Sequence, residues 1–140
     1  MAEGILKSLL KKSGITDIVV SSAGTFAPTG MKPTNYALVT TIERGIDITQ
    51  HISRILTKQM VNESDLVFVM EFDHLKSVQN LVPDAKGKVF LLKAFGENGQ
   101  GEEVADPIGY DLEFYRRCYQ DLENEIRRIL PEILKLADIE

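Results

Sequence analysis

Cysteine, histidine and long apolar runs are scarce in this sequence. Of its 140 residues only Cys118 is a cysteine, which excludes a disulfide within the chain and favours a reducing cytoplasm. The two histidines, His51 and His74, have no cysteine or histidine partner at metal-ligand spacing, so we expect neither a metal nor another cofactor. No stretch approaches the roughly 18 apolar residues of a membrane span, and Glu3 stands where a secretory signal needs basic residues. These absences predict a cytoplasmic protein.

Positive charge is also in short supply. The 16 lysines and arginines are outnumbered by 21 aspartates and glutamates, which gives a formal net charge of −5 and a pI near 5.1. The basic residues are scattered among acids and form no stripe, which argues against nucleic acid or an anionic membrane as a partner. Hydrophobic residues make up 44% of the chain, a globular balance, and the length suits a single domain over residues 1–140.

Helical and strand-like patterns alternate along the chain. Helices are predicted over residues 1–13, 35–44, 71–81 and 111–137, with a short one after Thr57, and strands over Ile15–Val20, Leu66–Met70 and Lys88–Leu92. Pro131 should kink or split the last helix. The alternating order favours an α/β fold of Rossmann-like or flavodoxin-like type, a three-layer parallel sheet with helices on both faces.

The carboxyl ends of parallel strands are the usual place for a site in such a fold. Here those ends carry Ser22–Thr25, Met70–Glu71 and the loop that leads to Asp106. We therefore expect a site formed by these three segments, although the composition of the segments alone does not identify the chemistry.

Five short blocks lie in a fixed order over nearly the whole chain. The first block is Met1–Leu6 and the second is Ser22–Thr25. The third consists of Gly45–Asp47 followed by His51, Ser53–Arg54 and Leu56–Thr57. The fourth is Asp65–Met70 and the fifth is Asp106–Pro107. Together they resemble the low-molecular-weight protein tyrosine phosphatases. The Asp-Pro-x-Gly form of the last block is similar to the bacterial branch that includes protein arginine phosphatases. Because Ile108 stands where that branch usually has an aromatic residue, phosphotyrosine and phosphoarginine both remain open as substrates.

The resemblance implies a protein phosphatase acting through a cysteinyl-phosphate on phosphorylated protein substrates, with a role for five residues here. Asp106 would be the general acid that protonates the leaving group and then activates water. Ser22 would donate a hydrogen bond to the thiolate or the phosphate loop, and His51 would brace that loop. Ile108 and Tyr110 would lie at the substrate mouth. Residue type alone is also consistent with Asp106 as a turn residue, Ser22 as a strand-end hydroxyl, His51 as a structural residue and Tyr110 as a packing residue.

The family's first strand and Cys-x5-Arg loop have no counterpart in these residues and would precede Met1. Cys118 cannot replace the nucleophile, because Asn124 stands where the arginine is needed. We therefore expect the chain as written to be inactive, its sheet to lack the first strand, and the exposed strand edges to allow oligomers. The alternatives are a non-catalytic homologue that binds phosphorylated partners or none, and an unrelated flavodoxin-like binding domain.

Overall fold

Five α-helices and two β-strands lie within the described residues, and they alternate as the sequence predicts only from residue 58 onward. The computed structural model describes residues 1–139. The elements are α1 (Ala2–Lys12), α2 (Asn35–Ile42), α3 (Lys58–Glu63), β1 (Val67–Val69), α4 (Phe72–Leu81), β2 (Val89–Leu91) and α5 (Leu112–Leu136), with a 3-10 turn, Pro83–Lys88, before β2. Within residues 1–139, no helix is both long and apolar enough to cross a membrane.

Side-chain caps fix where three of the helices begin. The hydroxyl of Thr34 accepts a hydrogen bond from the backbone N–H of Ala37 at the start of α2, and Thr57 does the same for Met60 at the start of α3. The Asp111 carboxylate accepts from the N–H of Phe114 at 2.9 Å, at the start of α5. Such caps satisfy backbone donors that have no partner inside the helix.

The strands β1 and β2 pair in parallel and are covered on both faces. Val67 lies opposite Val89 and Val69 opposite Leu91, and this face packs with Val61 of α3 and Val78 of α4. The alternate residues of the two strands, among them Phe68 and Phe90, pack on the other face against the core between α1 and α5. The structure therefore confirms a parallel sheet with helices on both sides, as expected where side chains alternate between faces.

The largest core lies between α1 and α5. Ile5 and Leu9 of α1 are buried there together with Ile126, Ile129 and Ile133 of α5. The apolar residues that recur in the last helix at spacings of three and four, from Tyr115 to Ile133, are buried. Pro131 does not split this helix, which runs unbroken from Leu112 to Leu136. Burial of Ile129 before the proline and Ile133 after it holds both halves against the same core.

The predicted strand Ile15–Val20 does not form. Among the described residues, the sheet contains only β1 and β2, and no hydrogen bond between backbone groups joins residues 16–22 to another segment. Val19 is 93% exposed, although its β-branched neighbourhood favours a buried strand. A run with strand propensity becomes a strand only where a neighbouring backbone completes its ladder. Only an isolated parallel bridge between Gly24 and Ile55 follows this segment.

Candidate active site

The five predicted site residues fall into two groups. Asp106, Ile108 and Tyr110 lie in the loop before α5, while Ser22 and His51 lie at the first turn of α1. Within residues 1–139 no hydrogen bond or ion pair joins the two groups. The structure therefore brings Ser22 and His51 together at Glu3.

The loop that carries Asp106 crosses the carboxyl end of β1. The backbone N–H of Val104 donates to the carbonyl of Met70 at 2.9 Å, and the Glu103 carboxylate accepts from the N–H of Phe72 at 2.7 Å. Val104 is buried in the core. The loop is thus anchored just before Asp106, at the edge of the sheet where the sequence predicts a site.

Asp106 is exposed and forms a local turn. Its Oδ1 accepts a hydrogen bond from the backbone N–H of Ile108 at 3.0 Å. This contact is an Asx turn, in which a carboxylate oxygen mimics a backbone acceptor. The other carboxylate oxygen has no partner within the described part of the chain. The turn geometry orients the carboxyl group and leaves one oxygen open to solvent and to a ligand.

Ile108 and Tyr110 form an exposed apolar margin beside Asp106. Their exposed fractions are 63% and 59%. The Tyr110 ring stacks on Phe114 of α5 at 4.5 Å between centroids, and the guanidinium of Arg117 lies 5.4 Å from the Phe114 centroid. Tyr110 therefore packs on the last helix with one face and offers the rest of its surface to solvent.

Glu3 connects Ser22 with His51 at the first turn of α1. The Ser22 hydroxyl donates to Oε1 of Glu3 at 2.8 Å, and Nδ1 of His51 lies 3.8 Å from Oε2. Lys7 donates to the same carboxylate at 3.0 Å. Burial opposes ionisation of Glu3, but the hydrogen bonds from Lys7 and Ser22 outweigh it, and the pKa of Glu3 falls below its usual value. Glu3 is therefore a carboxylate at neutral pH.

Residues beside Ser22 and His51 hold the surrounding loops together. Nε of Arg54 donates to the carbonyl of Ser22 at 3.1 Å. Ser53 and Met31 exchange hydrogen bonds, since the N–H of Ser53 donates to the Met31 carbonyl at 2.8 Å and the Ser53 hydroxyl accepts from the Met31 N–H at 3.0 Å. The sequence showed Glu3 and Arg54 only as parts of motifs. Their contacts join segments 19 and 32 residues apart, and no local pattern encodes such contacts.

Residues 1–139 offer no activated thiol and no metal cluster. Cys118 is buried on the apolar face of α5. Burial, followed by the nearby Asp121 carboxylate, raises the pKa of the Cys118 thiol. A reactive cysteine needs the opposite environment, exposed and electropositive. No group of three or more His, Cys, Asp or Glu side chains in this part of the chain is arranged to hold a metal ion.

Comparison with known proteins gives consistent matches over nearly the full length. The low molecular weight phosphotyrosine protein phosphatase family matches residues 1–138. A protein-arginine-phosphatase of Bacillus subtilis is 30% identical over 135 residues, covering 96% of this chain and 88% of the relative. A protein-arginine-phosphatase of Geobacillus stearothermophilus is 32% identical over 126 residues, covering 90% and 84%. The crystal structure of a low molecular weight protein tyrosine phosphatase from T. tengcongensis superposes with a TM-score of 0.87 at 33% identity, covering 94% of this chain and 88% of that chain.

Proposed function

The chain belongs to the low molecular weight phosphotyrosine protein phosphatase family, and on that premise we propose that it serves the removal of phosphate from tyrosine or arginine side chains of phosphorylated proteins. Asp106 is the general acid. It protonates the leaving oxygen or nitrogen when the phosphoryl group passes to a cysteine thiolate. In the second step its carboxylate takes a proton from the water that attacks the phosphocysteine, which releases phosphate and the thiolate.

The observation that carries this proposal is the placement of Asp106. Its loop is anchored at the carboxyl end of β1 through Val104, and its Oδ1 is fixed by the N–H of Ile108. A general acid must reach the leaving group from a defined direction. One oriented and one open carboxylate oxygen on an exposed turn meet that need. Ile108 and Tyr110 then contact the leaving residue from the side.

Ser22 and His51 act as supports rather than as reacting groups. Both are held at Glu3, in the first turn of α1. The N-terminus of this helix supplies unpaired N–H groups and a positive dipole, which favour a phosphoryl group. In this proposal the Glu3 contacts fix the segments that surround the phosphoryl site.

The 140 residues alone should not turn over substrate. The mechanism needs a thiolate nucleophile together with an arginine that grips the phosphoryl oxygens. Cys118 is the single cysteine, it is buried, and the residue six positions on is Asn124. A chain of these residues therefore supplies the acid and the supports without the nucleophile.

The test compares the 140-residue chain with a version preceded by the first strand and Cys-x5-Arg loop of a family member. We expect no hydrolysis by the first and hydrolysis of phosphotyrosine or phosphoarginine peptides by the second. In the second protein, Asp106→Ala should lower kcat by on the order of 10²–10⁴. The loss should be larger for phosphotyrosine than for p-nitrophenyl phosphate, because the latter leaves without protonation. The ratio of the two peptide activities decides the substrate.

Asp111→Ala is the matched control, since Asp111 lies five positions after Asp106 in the sequence and caps α5. It should cost about 1 kcal/mol of stability without changing the dependence on the leaving group. Hydrolysis by the 140-residue chain, or full activity of Asp106→Ala, would contradict the proposal. Tight binding of phosphopeptides by the 140-residue chain without hydrolysis would favour the alternative of a non-catalytic binding protein.

A further inference from the structure

A cavity of 140 Å³ lies between α1, the turn after α2 and α5. None of the proposed catalytic or supporting residues lines it. Its floor is apolar, formed by the buried side chains of Ile5, Leu9 and Ile46. Its remaining walls are polar, formed by Ser8, Lys12, Arg44, Tyr119, Glu123 and Arg127.

Positive charge exceeds negative charge around this cavity. Lys12, Arg44 and Arg127 face one carboxylate, Glu123, which leaves a local formal charge of +2 in a chain whose net charge is −5. Nη1 of Arg44 lies 3.6 Å and Nε of Arg127 lies 3.4 Å from Glu123. Both distances exceed the roughly 2.7–2.9 Å of a strong charge-assisted hydrogen bond. Lys12 makes no ion pair within residues 1–139.

The cavity walls are held in place before any ligand binds. The Arg44 guanidinium lies 5.0 Å from the centroid of the Tyr119 ring and also donates to Gln120. Tyr119 is 2% exposed. Burial, followed by the Glu123 carboxylate, raises the pKa of Tyr119 to about 12, so its hydroxyl keeps its proton well above neutral pH. Fixed donors lower the ordering cost of binding.

We propose that this cavity binds a small tetrahedral dianion of the phosphate class. Guanidinium groups match the spacing of phosphate oxygens, and a lysine adds a mobile point charge. One water molecule needs roughly 10–15 Å³ of such a cavity, so 140 Å³ has room for a group of five heavy atoms. The cavity is separate from the proposed catalytic site, and the inference does not depend on the proposed function.

The test is an NMR titration of the 140-residue chain with inorganic phosphate at pH 7.5, with sodium chloride adjusted to keep the ionic strength constant. We expect saturable shifts at Ser8, Lys12 and the Arg44 and Arg127 side chains. Lys12→Gln and Arg127→Gln should each weaken binding about tenfold, the effect of losing one charge-assisted hydrogen bond. Both side chains are exposed, and circular dichroism would verify that the variants fold.

Lys11→Gln is the matched control, because it removes one positive charge from the same turn of α1 outside the cavity. Its affinity for phosphate should stay within about twofold of the parent chain. Shifts that rise linearly without saturation would overturn the inference. So would an equal loss of affinity in Lys11→Gln, or saturable shifts confined to Ser22 and the first turn of α1.

Discussion

Replacing Glu3 by alanine tests the cluster that joins Ser22 and His51. Hydrogen bonds to charged groups are worth about 1.5–3 kcal/mol, and the Ser22 contact belongs below that range, at about 1 kcal/mol, because Ser22 is exposed. The pair with Lys7 adds about 0.3–0.5 kcal/mol. A negative charge in the first turn of a helix adds a further 0.3–1 kcal/mol, roughly. We therefore expect Glu3→Ala to lower the free energy of unfolding by about 2 kcal/mol at pH 7.

The assay is urea unfolding followed by circular dichroism, with Lys7→Ala as the control. Lys7→Ala removes only the exposed pair, so it should cost no more than about 0.5 kcal/mol. Combining Glu3→Ala with Ser22→Ala should give a coupling energy of about 1 kcal/mol, since the two side chains contact each other directly. If Glu3→Ala proves no more destabilising than Lys7→Ala, the cluster does not hold the loops together.

The pH dependence supplies a second check on the same cluster. The pKa of Glu3 is lower in the folded protein than its ordinary value near 4.5. Its stabilising contribution is therefore fully present above that value and is lost as the pH falls through the folded pKa. The stability deficit of Glu3→Ala should narrow as the pH is lowered from about 7 to about 3. An equal deficit at both ends of that range would refute a role for the charged carboxylate.

Two further predictions concern α5. Ile129 is 1% exposed, so Ile129→Ala should lower the free energy of unfolding by about 2–5 kcal/mol in urea unfolding. Leu136 is 59% exposed on the same helix, so Leu136→Ala should change the free energy of unfolding by no more than about 0.5 kcal/mol. The pKa of Tyr119 is raised to about 12 in the folded protein, whereas the unfolded chain loses this proton near pH 10. The free energy of unfolding should therefore fall as the pH rises from about 10 toward 12. Tyr119→Phe should lack this part of the pH dependence when urea midpoints are compared between about pH 9 and pH 11.

The elements that the sequence predicts well are those with a strong local signal. The apolar stripe of α5, at spacings of three and four, recurs as a buried face from Tyr115 to Ile133. The apolar runs of β1 and β2 recur as paired parallel strands, each one residue shorter at both ends than predicted. In each case the local pattern and the tertiary contacts favour the same structure, so the local pattern alone is sufficient to predict the element.

The predictions that fail, or that the sequence does not make, depend on contacts between distant segments. Residues 15–20 have the composition of a strand, but composition cannot supply the neighbouring backbone that a strand needs. Similarly, Glu3 has the position of an ordinary acidic residue in a first helical turn. Only the fold shows that its carboxylate accepts a hydrogen bond from Ser22 and lies beside His51. The order of the five blocks leads to the prediction that Asp106 is a site residue, whereas no motif indicates its Asx turn.

Helix α2 shows how far tertiary contacts override residue type. Thr40 and Thr41 are 2% and 0% exposed, while Val39 and Ile42 are 39% and 57% exposed. The Thr40 hydroxyl donates to the Tyr36 carbonyl at 2.6 Å, and the Thr41 hydroxyl to the Ala37 carbonyl at 2.8 Å. Because both hydroxyls are satisfied within their own helix, burying them leaves no unpaired polar group and avoids the penalty that would otherwise oppose it.

The rotation of α2 about its axis is set at its ends. At the N-terminal end, the Thr34 hydroxyl donates to the hydroxyl of Tyr115 at 3.0 Å, and at the C-terminal end Glu43 accepts two hydrogen bonds from Arg116. Both partners lie on α5, so two polar contacts one helix length apart fix which side of α2 faces it. Because Thr40 and Thr41 interrupt the apolar residues of α2, this helix has no single apolar stripe that would decide which side turns toward the core. The side of α2 that faces α5 is therefore determined by polar contacts that each contribute little to stability but have defined directions.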